Sequence, residues 1–177
     1  SSCWKINCMK VYIGSDHAGF SLKERVKEQL IKQGFTVSDC GAYAFEKDDD
    51  YVDFVSATAK AVAADPESRG IVIGGSGQGE GIVANKILGI RCAVFYTPAV
   101  PSQAIDVTGK TSEDPFTMLA LTREHNDANV LSLSARFLSE LDAFKAVDVF
   151  LGASFSGAER HVRRIEKIKK LEEEVKE

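Results

Sequence analysis

The sequence predicts an α/β fold in a single domain, with a parallel sheet covered by helices on both faces. Three observations point there. Short apolar runs alternate with helix-period segments, and that alternation implies right-handed βαβ crossovers. The run Gly70-Ile71-Val72-Ile73-Gly74 is apolar on both faces, which suits the middle strand of a parallel sheet. The chain has 177 residues, 44% hydrophobic and 27% charged, enough for one core that needs neither disulfide nor metal.

Each element follows from its own pattern. Val11-Tyr12-Ile13-Gly14 reads as a buried strand that runs into the loop Ser15-Asp16-His17-Ala18-Gly19. From Ser21, Leu22, Val26 and Leu30 recur every four residues and Gly34 stops the helix. A second strand spans residues 35–40, and the acidic stretch from Glu46 to Asp50 is loop. Residues 52–64 form a helix, 70–74 the third strand, and a further helix carries Ile82, Val83 and Ala84. Residues 91–96 and 129–133 give the fourth and fifth strands. Between them, residues 97–117 hold three of the four prolines and show no period, so they read as an insertion or lid. Two helices end the chain, at roughly 139–151 and 158–175. The second carries Val162, Ile165, Ile168, Leu171 and Val175 on one stripe. Residues 1–9 lack the apolar core of a signal peptide and read as an arm ahead of the domain at 10–177.

Charge and cysteine usage narrow the function classes. Lys and Arg number 22 against 26 Asp and Glu, a net charge of −4, so neither nucleic acid nor a membrane surface is an expected partner. An anionic ligand must then be held by local donors. No apolar run is long enough to span a bilayer. Cys3, Cys8, Cys40 and Cys92 form no C-x-x-C pair and read as reduced thiols of a cytoplasmic protein.

The most informative segment is Gly-Gly-Ser-Gly-Gln-Gly-Glu-Gly at 74–81, directly after the buried third strand. Glycines let the backbone approach a ligand, and the helix that follows offers free N–H groups. Together they make an anion cradle at the carboxyl end of a strand, where open α/β sheets bind ligands. A tight turn is the plain alternative. A dinucleotide fingerprint fits poorly, since strict G-x-G-x-x-G is absent, and no G-K-[ST] of a P-loop occurs. Glu80 inside this loop is either a helix-start acid favoured by the dipole or a base beside oxyanion donors.

Four ordered motifs carry a family likeness. Ser-Asp-His-Ala-Gly at 15–19, the glycine loop at 74–81, Ala-Asn-Lys at 84–86 and Arg-Glu-His-Asn-Asp at 123–127 resemble the ribose-5-phosphate isomerase type B family. That family also contains galactose-6-phosphate and allose-6-phosphate isomerases. The resemblance covers about residues 9–170, apart from the insertion. It implies a Rossmann-like three-layer αβα sandwich with a five-stranded parallel sheet, and a homodimer, or a tetramer, with shared active sites. It implies interconversion of D-ribose 5-phosphate and D-ribulose 5-phosphate with no metal and no organic cofactor. A six-carbon aldose phosphate isomerase and a non-catalytic sugar-phosphate-binding module are the alternatives.

The resemblance also implies roles for individual residues. One branch of the family uses a Cys at the end of the third strand as base. That position is Gly74 here, whereas Glu80 matches the branch with a Glu in the loop. Asp16, His17 and His125 are expected near the ring oxygen, and histidine suits proton transfer near neutral pH. The backbone of Gly75, Ser76, Gly77, Gln78 and Gly79 is expected to hold the enediolate, with the Ser76 hydroxyl adding a bond. Asn126 is expected on a sugar hydroxyl and Tyr51 near the ring. Arg160 and Arg164, four apart on one helix face, and Arg136 after the fifth strand are expected on the phosphate. His161 reads equally as a site residue or a packed one. The likeness implies that arginines and glutamate meet across the dimer interface.

Overall fold

The computed structural model describes residues 9–174. β1 (Lys10–Ser15), β2 (Thr36–Asp39), β3 (Arg69–Gly74), β4 (Cys92–Phe95) and β5 (Val130–Ser134) form one sheet in the order β2-β1-β3-β5-β4. Every neighbouring pair is parallel. β3 and β5 are the most enclosed, with Ile71, Val72, Ile73, Leu131 and Leu133 wholly buried. This is the placement that the unbroken apolar run of residues 70–74 predicts.

The helices are α1 (Phe20–Lys32), α2 (Tyr51–Ala64), α3 (Gln78–Ala84), α4 (Thr117–Asn126), α5 (Glu140–Gly152) and α6 (Glu159–Glu174). One face of the sheet packs Ile13, Ile71, Ile73, Leu131 and Leu133 against Val26 and Leu30 of α1, Leu119 of α4 and Ala146, Val147 and Phe150 of α5. The other packs Val72 and Val130 against Val55, Ala59 and Val62 of α2 and Ala84 of α3. The result is the expected three-layer sandwich. No helix among the described residues is long and apolar enough to cross a membrane.

Strand order fixes where a ligand can sit. From β1 the chain moves one way to β2 and then back past β1 to β3. The reversal opens a crevice between the carboxyl ends of β1 and β3. Ser15-Asp16-His17 leaves β1 there and the glycine loop leaves β3 there.

Three features depart from the sequence reading. α4 was not foreseen. Its buried face is Thr117, Leu119 and Arg123, so it shows no apolar period. Arg123 is tolerated inside because its guanidinium donates to the Asp127 carboxylate at 2.7 Å and to the Ala128 carbonyl. The segment ahead of α4 closes on itself: Ala99 N–H donates to the Pro115 carbonyl at 2.9 Å, and Phe116 stacks on Phe95 at 5.6 Å. Finally, the α6 stripe is largely uncovered. Ile165 is buried, but Val162, Ile168 and Leu171 are exposed, and Val175 lies outside the described residues.

Candidate active site

Glu80 enters the site from the first turn of α3 yet is only 4% exposed. Its carboxylate fills the space that a side chain at Gly74 would need: a Cβ placed there would overlap Glu80 Oε1. Gly74 is thus glycine because the acid lies on it. Gly77 is required for a second reason. It sits at φ +77°, in the left-handed region, and caps the start of α3. β5 pins this turn from beneath. The Ser132 hydroxyl donates to the Gly77 carbonyl at 2.6 Å, and the Ser134 hydroxyl donates to the Gly75 carbonyl at 2.9 Å.

With the carbonyls held below, the N–H groups of Gly75, Ser76 and Gly79 have no hydrogen-bond partner among the described residues. They are donors in place for an oxyanion. The Ser76 hydroxyl accepts the Gln78 N–H at 3.3 Å, which leaves its own hydrogen available. Burial pushes the Glu80 acid above the ordinary carboxylate range, and nearby Asp16 adds to this. The N–H groups of Glu80 and Gly77 pull the other way without overcoming it.

Around this carboxylate the fold gathers most of the expected residues. Asp16 is buried and its Oδ1 accepts the N–H groups of Ala18 at 3.0 Å and Gly19 at 3.2 Å. His17 follows it at the mouth of the crevice. Tyr51, the first residue of α2, lies against Gly79. Arg136 donates its backbone N–H to the Gly75 carbonyl at 3.1 Å, and its guanidinium lies over Gly75.

The remaining expected residues stand elsewhere. α4 runs back from the carboxyl end of the sheet, so His125 and Asn126 at its end lie at the amino end, beside the start of β5. Asn126 there takes the Arg91 Nε–H on its carbonyl at 2.9 Å. The ring of His125 packs on His161 with centroids 4.2 Å apart. Arg160 Nε donates to His161 Nε2 at 3.2 Å, so His161 Nδ1 carries the hydrogen it donates to the Ser156 hydroxyl at 2.8 Å. Burial, His125, Arg160 and Arg164 all hold the His161 imidazole below its ordinary value. Within one chain, then, His125, Asn126, Arg160 and Arg164 are separated from Glu80 by a strand length, on the order of 15 Å.

One residue at the crevice escaped sequence reasoning. Asp49, in the acidic loop before α2, accepts both the backbone N–H of His17 at 3.0 Å and its ring Nδ1–H at 2.7 Å. The cue was weak: one acid among several in a charged loop. Asp16, His17 and Asp49 bring possible ligand atoms within 4.8 Å of one another, and the His17–Asp49 bond accounts for that closeness. The two described thiols play no part. Burial pushes Cys92 up to about 12 and raises Cys40 as well.

Comparison with known proteins agrees with this fold. A family model for ribose/galactose isomerase matches residues 11–108 and 111–168. Ribose-5-phosphate isomerase B of Mycolicibacterium paratuberculosis is 41% identical over 158 residues, covering 89% of this chain and 88% of the relative. Two solved structures are similar over most of the chain. Ribose-5-phosphate isomerase B of Mycoplasma genitalium, with bound ribulose-5-phosphate, has a TM-score of 0.81 and 36% identity, over 94% of this chain and 97% of that one. The Clostridium thermocellum enzyme has a TM-score of 0.80 and 38% identity, over 94% and 99%. On this match, and on a glycine loop and acid placed at the switch of an all-parallel sheet, the chain belongs to the ribose/galactose isomerase family.

Proposed function

We propose that this protein is an aldose–ketose isomerase that interconverts D-ribose 5-phosphate and D-ribulose 5-phosphate through an enediolate, with Glu80 as the base. The observation that carries the reading is the Glu80 carboxylate, buried on Gly74 beside three N–H groups that have no partner among the described residues. Asp16 and His17 flank the sugar and move the protons that open its ring. Glu80 then takes the hydrogen from C2. The C2–H pair becomes the C1–C2 double bond, the carbonyl pair moves onto O1, and the loop N–H groups meet the resulting charge. Return of the proton to C1 and transfer of the O2 hydroxyl proton to O1 leave the ketose. The raised proton affinity of Glu80 suits this work, because an ordinary carboxylate, with a pKa of ~4.3, is a weak base at neutral pH.

The phosphate is held by Arg136 of one chain and by Arg160 and Arg164 of a second copy, which also supplies His125 and Asn126. Two facts support a homodimer of this kind. The site residues of one chain divide between opposite ends of its sheet. The edge strand β4 and α6 also leave Leu88, Ile168 and Leu171 uncovered around a groove. The free thiols of Cys40 and Cys92 fit a cytoplasmic enzyme.

The test is turnover. The pure protein, given ribose 5-phosphate without added metal, is expected to form ribulose 5-phosphate, and to act more slowly on six-carbon aldose 6-phosphates. No ketose from ribose 5-phosphate, or faster turnover of a six-carbon substrate, would contradict the proposal.

A further inference from the structure

We propose that Asp49 is the positioning residue for His17, holding the imidazole as the tautomer with hydrogen on Nδ1 and leaving Nε2 free for the substrate. A carboxylate oxygen only accepts, so a ring nitrogen 2.7 Å away must carry the hydrogen. In a neutral imidazole the other nitrogen then holds the lone pair. His17 Nε2 has no partner among the described residues.

Both His17 contacts fall on one oxygen, Asp49 Oδ1, while Oδ2 is buried with no partner among the described residues. Besides the ring Nδ1–H, Oδ1 takes the backbone N–H of His17 at 3.0 Å, so the carboxylate grips the ring and the main chain of one residue together. Turning the ring breaks a charge-assisted bond, the stronger class of hydrogen bond. Asp16 does not compete, since its Oδ2 stands 3.8 Å from Nδ1. The Phe45 ring meets the imidazole edge-on, with centroids 6.2 Å apart at 87°, and restricts it from the outer side. The Asp49 side chain is 7% exposed and that of His17 28%, so the carboxylate sits behind the ring and the ring faces the crevice. Asp49 acts through His17, as outer carboxylates orient functional histidines elsewhere.

What His17 does in turnover rests on the isomerase reading, but its tautomer does not, and the experiment separates the two. Nitrogen-15 NMR of the whole protein resolves the imidazoles of only three histidines, and the His17→Gln variant assigns the relevant one. The wild type is expected to show His17 protonated on Nδ1 in its neutral form. Asp49→Ala is expected to move it toward the Nε2–H form usual in water, and to lower kcat/KM for ribose 5-phosphate by about 10–100-fold. In a His17→Gln background the same substitution is expected to cost less than about 2-fold, because coupled residues are not additive. An Nε2–H tautomer in the wild type, or an equal loss in both backgrounds, would overturn the proposal. If His17→Gln leaves turnover intact, the catalytic reading of His17 fails while the tautomer still decides the role of Asp49. Should Asp49→Ala fail to fold, the wild-type spectrum decides alone.

Discussion

At the scale of single residues, Gly74 and Glu80 are two halves of one feature. The acid occupies the volume above the strand end, so position 74 can carry no side chain. A side chain at position 74 and the carboxylate of residue 80 thus compete for the same space. Gly74→Ala is expected to expel the carboxylate and lower kcat by at least ~10², the range for losing a general base, while circular dichroism stays unchanged. Unaltered turnover in that variant would separate the glycine from the acid. Burial of Glu80 also sets a pH dependence. Its folded pKa lies above the unfolded one, so its contribution to stability is full below the unfolded pKa of ~4.3 and is lost as pH rises through the folded value. Glu80→Gln should therefore raise Tm at neutral pH, by an amount on the order of a few degrees, and the gain should vanish in acid. Thermal melts across pH check the sign. Glu80 was legible in the sequence through its place in the glycine loop. Asp49 was not, because its partner is 32 residues away and nothing local distinguishes it from Asp48 or Asp50.

At the scale of elements, the crevice is held open by what lies beneath and beside it. Lys23 of α1 is wholly buried and donates to both oxygens of Asp39, at 2.7 and 2.8 Å, and to the Ala42 carbonyl at 2.7 Å. This fixes the end of β2 and the loop that carries Asp49. Burial would raise Asp39, but Lys23, Lys27 and the Gly41 N–H overrule it and hold the acid below its ordinary range. A lowered folded pKa means stability present above the unfolded value and lost as pH falls through the folded one. Lys23→Met leaves Asp39 with Lys27 and the Gly41 N–H. It is expected to cost about 3 kcal/mol, read as a lower urea midpoint at unchanged slope. A shift of a few tenths would show the pair to be dispensable. The strands and the glycine turn were readable because their signals are local: apolar runs, glycines and a following helix. α4 was not, since a helix that buries Thr117 and Arg123 is recognised only once Asp127 and Ala128 are seen to receive the guanidinium.

At the scale of the whole molecule, the sheet separates two sets of residues. Glu80, Asp16, His17 and Arg136 gather at its carboxyl end, and His125, Arg160 and His161 at the other. The proposed dimer brings the second set of one copy to the first set of its partner. Mixing Glu80→Gln with Arg160→Ala, each nearly inactive alone, should then restore about a quarter of wild-type activity: half of the dimers are mixed and each holds one intact site of two. A mixture no more active than its parts would place both residues in one chain's own site. Sequence showed both sets but not their distance, because helix direction between β4 and β5 decides it and α4 was the unread element. The role of Glu80 is tested most directly with ribose 5-phosphate in heavy water, followed by NMR. Wild-type protein should place deuterium at C1 of the ketose as it forms. Glu80→Gln should bind the substrate within a few-fold of wild type, yet lose both isomerisation and deuterium uptake by at least ~10². Turnover and exchange close to wild type in Glu80→Gln would contradict the assignment.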